Sequence, residues 1–364
     1  MRVRAATLAA ACLTLALPVR AEDTDQVLRG MAGRYPIVMQ IWAQDGGNAG
    51  GSYFYTRFKQ DIDVRGRAAG GDVSVTSDGT GDRFVLRRDG AGYKGTLTTA
   101  KGTELPVRLS PVAKGSVPDP APDLNLPEMD DYERLRLTGL TFVPGKTETI
   151  GSRTIQWYDE PLSKLSMFRV VSGYPAGAMA AINRVLAREQ VVQVGYYLNC
   201  AGWNGDSGFD ASRVSSRFLD DRFVSYAWSG SWFCMGAAHP DIGTAGTTID
   251  ARTGKVLALE DILWFGSGAK PAPRTDAWYT YRSDVFAPAA VSLLTTLYPD
   301  DMKPTDEVCN FADPSIWSFG PWYFTEQGLH LGAYFARVAR ACDNPDWPVV
   351  PWTELKALNP ALFG

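Results

Sequence analysis

The chain of 364 residues is long enough for two domains of ordinary size. It carries 36 basic and 40 acidic residues, a formal net charge of -4, which disfavours nucleic acid as a partner and mildly favours cationic partners. Only 2 histidines are present, so the composition argues against a histidine-rich metal site.

Residues 1–21 have the pattern of a secretory signal peptide. Two arginines precede an apolar run, residues 5–18, and residues 19–21 form a small-residue cleavage site. No later stretch approaches the roughly 18 apolar residues that span a bilayer. We therefore expect a periplasmic or secreted protein with no transmembrane anchoring.

Residues 22–112 predict a small antiparallel β domain. Apolar and polar residues alternate in short runs between glycine-rich turns, and Val64, Val75, Leu86 and Leu97 recur at equal spacing. Successive strands of an antiparallel meander produce this spacing when each strand takes its partner's register. The polar alternate positions indicate that one face of the sheet is wet or covered by a partner.

Residues 113–130 predict a linker between two domains. The segment is rich in proline, and its remaining residues include several Asp, Ala and Ser. Proline fixes φ and removes a backbone donor, so we expect an extended, semi-rigid connection between independently folding units.

Residues 131–364 combine strand-like and helical patterns. Strands are predicted over residues 134–142, 149–158, 165–171, 191–200 and 222–234. One helix is predicted after Tyr174-Pro175 and another between residues 262 and 299, before a closing strand pair and a short helix near Leu355. The predicted fold class is α+β, a small antiparallel β domain followed by an antiparallel sheet with packed helices.

Four cysteines follow the predicted cleavage site, and an even number in an oxidising compartment indicates two disulfides with three possible connectivities. Cys200 and Cys234 have matched parity on two predicted strands, while Cys309 and Cys342 flank the last strand pair. We therefore expect the pairs Cys200–Cys234 and Cys309–Cys342.

The same parity argument concerns the aromatic residues of the strand at 222–234. Tyr226, Trp228 and Trp232 share a face with Cys234, so a disulfide to the neighbouring strand makes that face core. A bulge at Gly230 would reverse this assignment.

The two histidines have different settings. Ser207 and His239 lie in fragments similar to serine-protease segments, but their order along the chain does not fit a triad of the chymotrypsin type. His239 follows two small residues and precedes a proline, which either exposes the imidazole or lets it cap the turn. His330 alternates with Leu329 and Leu331, so we expect it to face outward on a strand.

Asp250, Glu260 and Asp261 are the acidic candidates for acid, base or cation-binding roles. Asp250 also begins an Asp-x-x-Thr-Gly-Lys hairpin turn, in which aspartate accepts backbone N–H bonds and Gly254 supplies positive φ. We favour the structural-turn role for Asp250, Gly254 and Asp261. The sequence thus indicates no catalytic residue, no metal site and no cofactor.

The 11 tryptophans suggest carbohydrate or protein recognition, because aromatic faces stack and bury large areas. The central strand is predicted to point its rings into the core, so exposed aromatic residues are expected in loops and near the C-terminus. The predicted binding residues are Trp203, Trp347 and Trp352, together with His239.

Residues 222–265 carry a combination of turn and core residues that also occurs elsewhere. The positions concerned are Gly236, Ala238, His239, Pro240, Asp250, Thr253, Gly254, Lys255, Leu257, Leu259, Asp261 and Ile262. Further matching positions are Tyr174, Pro175, Ile182, Asn183, Thr325, Gly328, Leu329, Leu355 and Lys356. Over about residues 131–362 the chain resembles a bacterial extracytoplasmic domain shared by a lysozyme-sensing anti-sigma factor and a peptidoglycan deacetylase.

The resemblance implies a ligand-sensing or binding module of the cell envelope. We expect neither the signalling nor the deacetylation of these relatives in this chain, because the sequence shows neither an anti-sigma segment nor a deacetylase metal site. We expect a non-enzymatic binder of a cationic protein such as lysozyme or of a cell-wall glycan. The alternative is an envelope hydrolase acting on peptidoglycan or polysaccharide through carboxylates such as Asp250 and Asp261, which a deep acidic cleft would favour.

Overall fold

A computed structural model describes residues 25–44, 46–304 and 308–363. The predicted signal peptide, residues 1–21, lies outside the described residues. Within the described ranges, no helix combines the length and the apolar character needed to cross a membrane.

The first part of the chain is an eight-stranded antiparallel barrel. Its strands are β1 (Gln26–Ala32), β2 (Tyr35–Ala43), β3 (Asn48–Tyr55), β4 (Ile62–Ala69), β5 (Asp72–Thr76), β6 (Arg83–Asp89), β7 (Gly92–Thr98) and β8 (Glu104–Pro111). The four equally spaced residues, Val64, Val75, Leu86 and Leu97, all belong to the barrel core. They do not lie opposite one another, because Val75 pairs with Phe84 and Leu86 pairs with Val73, a register two residues from the predicted one. Alternate residues of each strand point inward and form one apolar core.

The sequence predicts the meander but not its closure. The barrel closes because β1 pairs with β8 as well as with β2. Gly30 permits this pairing, since a Cβ at this position would lie 1.8 Å from the carbonyl oxygen of Arg108. Closure leaves the first strand and the last strand without a free edge.

The segment between the barrel and the rest of the chain is held in place by a carboxylate. Asp131 accepts hydrogen bonds from the backbone N–H groups of Gly115, at 2.6 Å, and Val117, at 3.0 Å. Val117 is buried, and Arg134 donates to its carbonyl oxygen at 3.0 Å. The segment therefore contacts the body that follows it.

Residues 134–142 do not form the predicted strand. Helix α1 (Asp131–Leu137) occupies the start of this range. Asp130 caps the helix by accepting a hydrogen bond of 2.8 Å from the backbone N–H of Glu133. Tyr132 and Leu137 are buried, and Tyr132 packs against the outside of the barrel at Phe54.

Three antiparallel sheets of three strands follow. The first is β9 (Val143–Ile150), β10 (Arg153–Asp159) and β11 (Ser166–Ser172), the second is β12 (Phe209–Leu219), β13 (Phe223–Trp232) and β14 (Asp241–Asp250), and the third is β15 (Trp322–Phe324), β16 (Gly328–Leu331) and β17 (Val349–Pro351). The predicted strand at 149–158 is thus two strands joined by a turn, in which Gly151 has φ +59°.

Residues 191–199 are helical, so the strand predicted over residues 191–200 is wrong. Helix α2 (Ala176–Asn199) runs through the range without a break. Val191, Val194 and Leu198 are buried and continue the stripe that Ile182 begins. Burial against the sheets outweighs the β preference of the valines.

The middle sheet is covered on both faces over most of its length. Val224, Tyr226 and Trp228 of β13 face the core shared with α2, as predicted for the two aromatic residues. Trp232, predicted to share that core, is only partly buried and lines a cavity. Phe223 faces a second core built with the remaining helices. These are α3 (Leu259–Ile262), α4 (Asp276–Tyr281), α5 (Ala287–Leu297), α6 (Trp352–Leu358) and α7 (Pro360–Phe363), with a π-helical turn at Arg282–Phe286. The architecture is α+β with antiparallel sheets.

His330 is buried, which contradicts its predicted outward orientation. Its ring stacks on Tyr323 with centroids 4.5 Å apart, and Nε2 lies 2.9 Å from Oδ1 of Asn344. Strand β16 is the central strand of its sheet, between β15 and β17, and both of its faces are covered. Alternation along a strand therefore does not imply a wet face here.

Candidate functional site

A cavity of about 530 Å³ opens at one end of the middle sheet. It lies between the last two turns of α2 and the ends of β12, β13 and β14. Because α2 ends at Asn199, it leaves this end of the sheet uncovered. The position is typical of small-ligand sites, which are concave and lie between elements of the fold.

Aromatic side chains from three elements form the walls of the cavity. They are Tyr196 of α2, Phe209 of β12, and Trp228 and Trp232 of β13. The indole of Trp228 is 4% exposed, whereas Tyr196 is 58% exposed at the rim. The rings of Phe209 and Trp232 lie with centroids 5.7 Å apart at an angle of 33°.

Two paired glycines create the open space. Gly230 of β13 lies opposite Gly243 of β14 in the register of the sheet. A Cβ at Gly243 would lie 3.1 Å from Cη2 of Trp232, a tight contact that would require the indole to move. The absence of side chains here therefore leaves an aromatic wall beside a partly exposed stretch of backbone.

The polar groups of the cavity are uncharged. They belong to Gln193, Asn199, Ser212 and Thr244, and none of the described lining residues carries a formal charge. Ser212 accepts a hydrogen bond of 2.7 Å from Nε1 of Trp228, which fixes the orientation of that indole. The site offers ring faces and neutral hydrogen-bonding groups, the chemistry that suits a neutral polar ligand.

The disulfide Cys200–Cys234 borders the same cavity, and its formation confirms the predicted pair. It joins the end of α2 to the segment after β13, with Cα atoms 4.8 Å apart. The predicted bond is thus present, although Cys200 follows a helix rather than lying on a neighbouring strand. The second predicted pair, Cys309–Cys342, is also formed.

Two of the predicted binding residues, Trp203 and His239, are exposed but are not among the described residues that line the cavity. Trp203 is 53% exposed, and its ring centroid lies 6.0 Å from that of Phe233. His239 is exposed in the loop between β13 and β14.

The other two predicted binding residues, Trp347 and Trp352, pack against the core. The ring of Trp347 lies 5.2 Å from that of Tyr298. Trp352 stacks on Phe324 at 5.0 Å and donates from Nε1 to the carbonyl oxygen of Glu326 at 2.8 Å. Their contacts are those of structural aromatic residues.

The predicted hairpin turn has an aspartate at its start. Oδ1 of Asp250 accepts from the backbone N–H groups of Arg252, at 2.9 Å, and Thr253, at 3.0 Å. Partial burial raises the pKa of Asp250, but these two N–H groups, together with the charge of Arg252 and the side chain of Thr253, leave the pKa below its ordinary value. Gly254 has φ +73°, as the turn requires.

The other two acidic candidates also have local partners. Asp261 lies in α3, where Oδ2 accepts from the backbone N–H of Ala258 at 3.1 Å. Glu260 is buried, and its Oε1 accepts from Nε of Arg282 at 2.6 Å and from Nε1 of Trp278 at 2.8 Å. Within the described ranges, no group of three or more His, Cys, Asp or Glu side chains is placed to hold a metal ion.

Sequence reasoning did not identify the cavity. Gln193, Tyr196 and Asn199 lie on one side of α2 at helical spacing, but the alternation of valines favoured a strand there. Gly230, considered only as the site of a bulge, could have indicated the cavity, because a glycine in a strand leaves space beside a neighbouring side chain such as Trp232.

Comparison with known proteins gives no further assignment. The chain matches no protein-family model and no curated protein sequence. The likeness to the extracytoplasmic sensor domain therefore stays an expectation from the sequence.

Proposed function

We propose that the protein is an extracytoplasmic binding protein whose ligand is a cell-wall glycan. The observation that supports this most is the neutral, aromatic cavity beside Cys200–Cys234. Sugar rings present C–H faces that pack on aromatic rings and hydroxyl groups that pair with neutral donors and acceptors. The side chains of Trp232 and Phe209 supply the first contact, and Asn199 and Thr244 supply the second.

The expected extracytoplasmic location supports a ligand of the envelope. Two disulfides are typical of proteins in oxidising compartments. The predicted signal peptide and the resemblance to an envelope-sensing domain agree with this location.

A cationic protein partner fits this cavity less well than a glycan. The described lining residues include no carboxylate that would pair with a lysine or arginine. Stable protein–protein contacts also bury about 800 Å² on each partner, a broad surface rather than a concave cavity.

The alternative function, an envelope hydrolase, requires two carboxylates that flank the bond to be broken. The two proposed for this role, Asp250 and Asp261, accept backbone hydrogen bonds in a turn and at the start of a helix. Their geometry is that of structural carboxylates.

A co-sedimentation experiment tests the proposal. The whole protein is mixed with purified peptidoglycan, and soluble oligomers of N-acetylglucosamine are added as competitors. We expect the protein to sediment with peptidoglycan and the oligomers to release it, with no shortening of the oligomers. Binding to lysozyme but not to peptidoglycan, or cleavage of the oligomers by wild type, would overturn the proposal.

A further inference from the structure

A second cavity, of about 520 Å³, lies where the barrel meets α2. Its barrel side includes Tyr55, Phe58 and Gln60, and its opposite side includes Leu162, Tyr197 and Ser207. The function proposed above does not use this cavity. Junctions between structural units are frequent positions of ligand sites.

Phe58 is held at the rim of this cavity by neighbours that are themselves fixed. Nζ of Lys59 donates to the carbonyl oxygen of Arg136 at 2.8 Å, and Nε2 of Gln60 donates to that of Leu198 at 3.1 Å. The side chain of Phe58 is nevertheless 56% exposed. An aromatic ring that is exposed on an anchored loop loses little conformational freedom when a ligand packs against it.

A row of three rings connects the two cavities. Tyr197 lines the second cavity, and its ring lies 5.7 Å from that of Phe209, at an angle of 35°. Phe209 lines the first cavity and lies 5.7 Å from Trp232, at 33°. All three rings are partly exposed. The two centroid distances are equal and the two interplanar angles nearly so, which gives a row of evenly spaced rings at the surface.

Equal steps of similar rings suit a ligand with a repeating unit. We propose that the two cavities are subsites for one polymeric glycan, which runs along Tyr197, Phe209 and Trp232 and reaches Phe58 of the barrel. The barrel then completes the binding surface instead of serving only as an attached domain. This inference rests on the proposed function and extends it from a glycan to a chain long enough to cover both subsites.

A chain-length series tests the inference. Affinities of N-acetylglucosamine oligomers from dimer to hexamer are measured by calorimetry for the whole protein, for Phe58→Ala and for Trp232→Phe. Val338→Ala serves as the control, because Val338 is 93% exposed and is not among the described lining residues of either cavity.

We expect the affinity of wild type to rise with chain length and Phe58→Ala to weaken hexamer binding about tenfold, the loss of one good aromatic contact. The same variant should leave dimer binding unchanged, and Trp232→Phe should keep most of the binding because it retains a ring. Binding of the dimer without any gain from longer chains, or a gain that persists in Phe58→Ala, would overturn the inference and leave the proposed function standing. Failure of every oligomer to bind would reject both.

Discussion

The carboxylate of Asp61, in the barrel, accepts a hydrogen bond of 2.8 Å from Nη2 of Arg136 in helix α1, and both side chains are buried. The hydroxyl of Tyr132 donates to the other carboxylate oxygen at 2.8 Å. A buried ion pair therefore joins the barrel to the rest of the chain. From this contact we expect the barrel and the rest of the chain to unfold together, whereas the proline-rich segment predicts independent folding, and an unfolding experiment decides between the two.

Replacing Arg136 with Met should lower the free energy of unfolding by about 3 to 5 kcal/mol, because it leaves the Asp61 carboxylate buried without its partner. Burial raises the pKa of Asp61 to about 7 although Arg136 and Tyr132 oppose the rise, so the measurement is made at pH 8, where the wild-type carboxyl is ionised. Loss of Arg136 raises this pKa further, so the variant bears the cost either as an unpaired buried carboxylate or as its protonation. Urea unfolding followed by circular dichroism gives the values.

The matched control for this ion pair is Lys303→Met, which removes a surface partner of Asp300. We expect no measurable change there, since exposed pairs contribute little. We also expect wild type to unfold in one transition. Two separate transitions, with the first unaffected by Arg136→Met, would show that the barrel folds alone.

The two disulfides should differ in their effect on binding. Each closes a loop of similar length, with sequence separations of 34 and 33, so loss of either should lower stability by about 3 to 4 kcal/mol in the chain-entropy model. Only Cys200–Cys234 borders the aromatic cavity. The Cys200→Ser/Cys234→Ser variant should therefore also bind N-acetylglucosamine oligomers more weakly.

The Cys309→Ser/Cys342→Ser variant is the control, because it loses a disulfide of similar loop length that does not border the aromatic cavity. Calorimetric titration at a temperature where both variants are folded gives the affinities. Equal loss of affinity in the two variants would refute a local role for Cys200–Cys234.

The buried His330 should make the protein sensitive to mild acid. Burial lowers the pKa of His330, and its contact with Asn344 offsets this only in part. Below its ordinary pKa of about 6.5 the unfolded chain takes up a proton that the folded state rejects, so stability is present above that pH and falls as the pH drops toward the folded pKa. Melting temperatures at pH 7.5 and pH 5 should differ less in His330→Gln than in wild type. Equal differences in the two proteins would contradict this assignment.

Asp250→Ala should destabilise the protein without changing ligand affinity. The carboxylate accepts two backbone N–H bonds in the turn, and their loss should lower stability by about 1 to 2 kcal/mol at pH 7. Because these bonds lower the pKa of Asp250, the difference from wild type should shrink as the pH falls below 4. An oligomer affinity that falls in fully folded Asp250→Ala would instead place this carboxylate in the binding site.

Much of the fold could be read from local pattern. Period-two alternation indicated an antiparallel β domain over residues 22–112, and Asp250 with Gly254 located a turn, because neighbouring residues determine both. Closure of the barrel depends on β1 meeting β8, which lie far apart in the sequence. No local pattern specifies that contact.

The cavity could not be predicted from the sequence because it also depends on contacts between distant elements. Residues 191–199 alternate like a strand, yet Val191, Val194 and Leu198 lie on the buried stripe of a helix. Prediction of the aromatic face of β13 as core holds for Trp228, which α2 covers, while Trp232 lies beyond the end of the helix. Where a helix ends relative to the sheet beneath it is a tertiary property, so the sequence could not separate the two tryptophans.

Trp232 and the neutral cavity around it are proposed to bind a wall glycan. Titration of the N-acetylglucosamine hexamer into wild type, Trp232→Ala and Trp203→Ala tests it most directly, with near-ultraviolet circular dichroism as the check on folding. Trp203 is the matched control because it is an exposed tryptophan outside the cavity lining as described. We expect at least about a tenfold loss of affinity in folded Trp232→Ala and none in Trp203→Ala. Wild-type affinity in Trp232→Ala, or loss in Trp203→Ala alone, would contradict it.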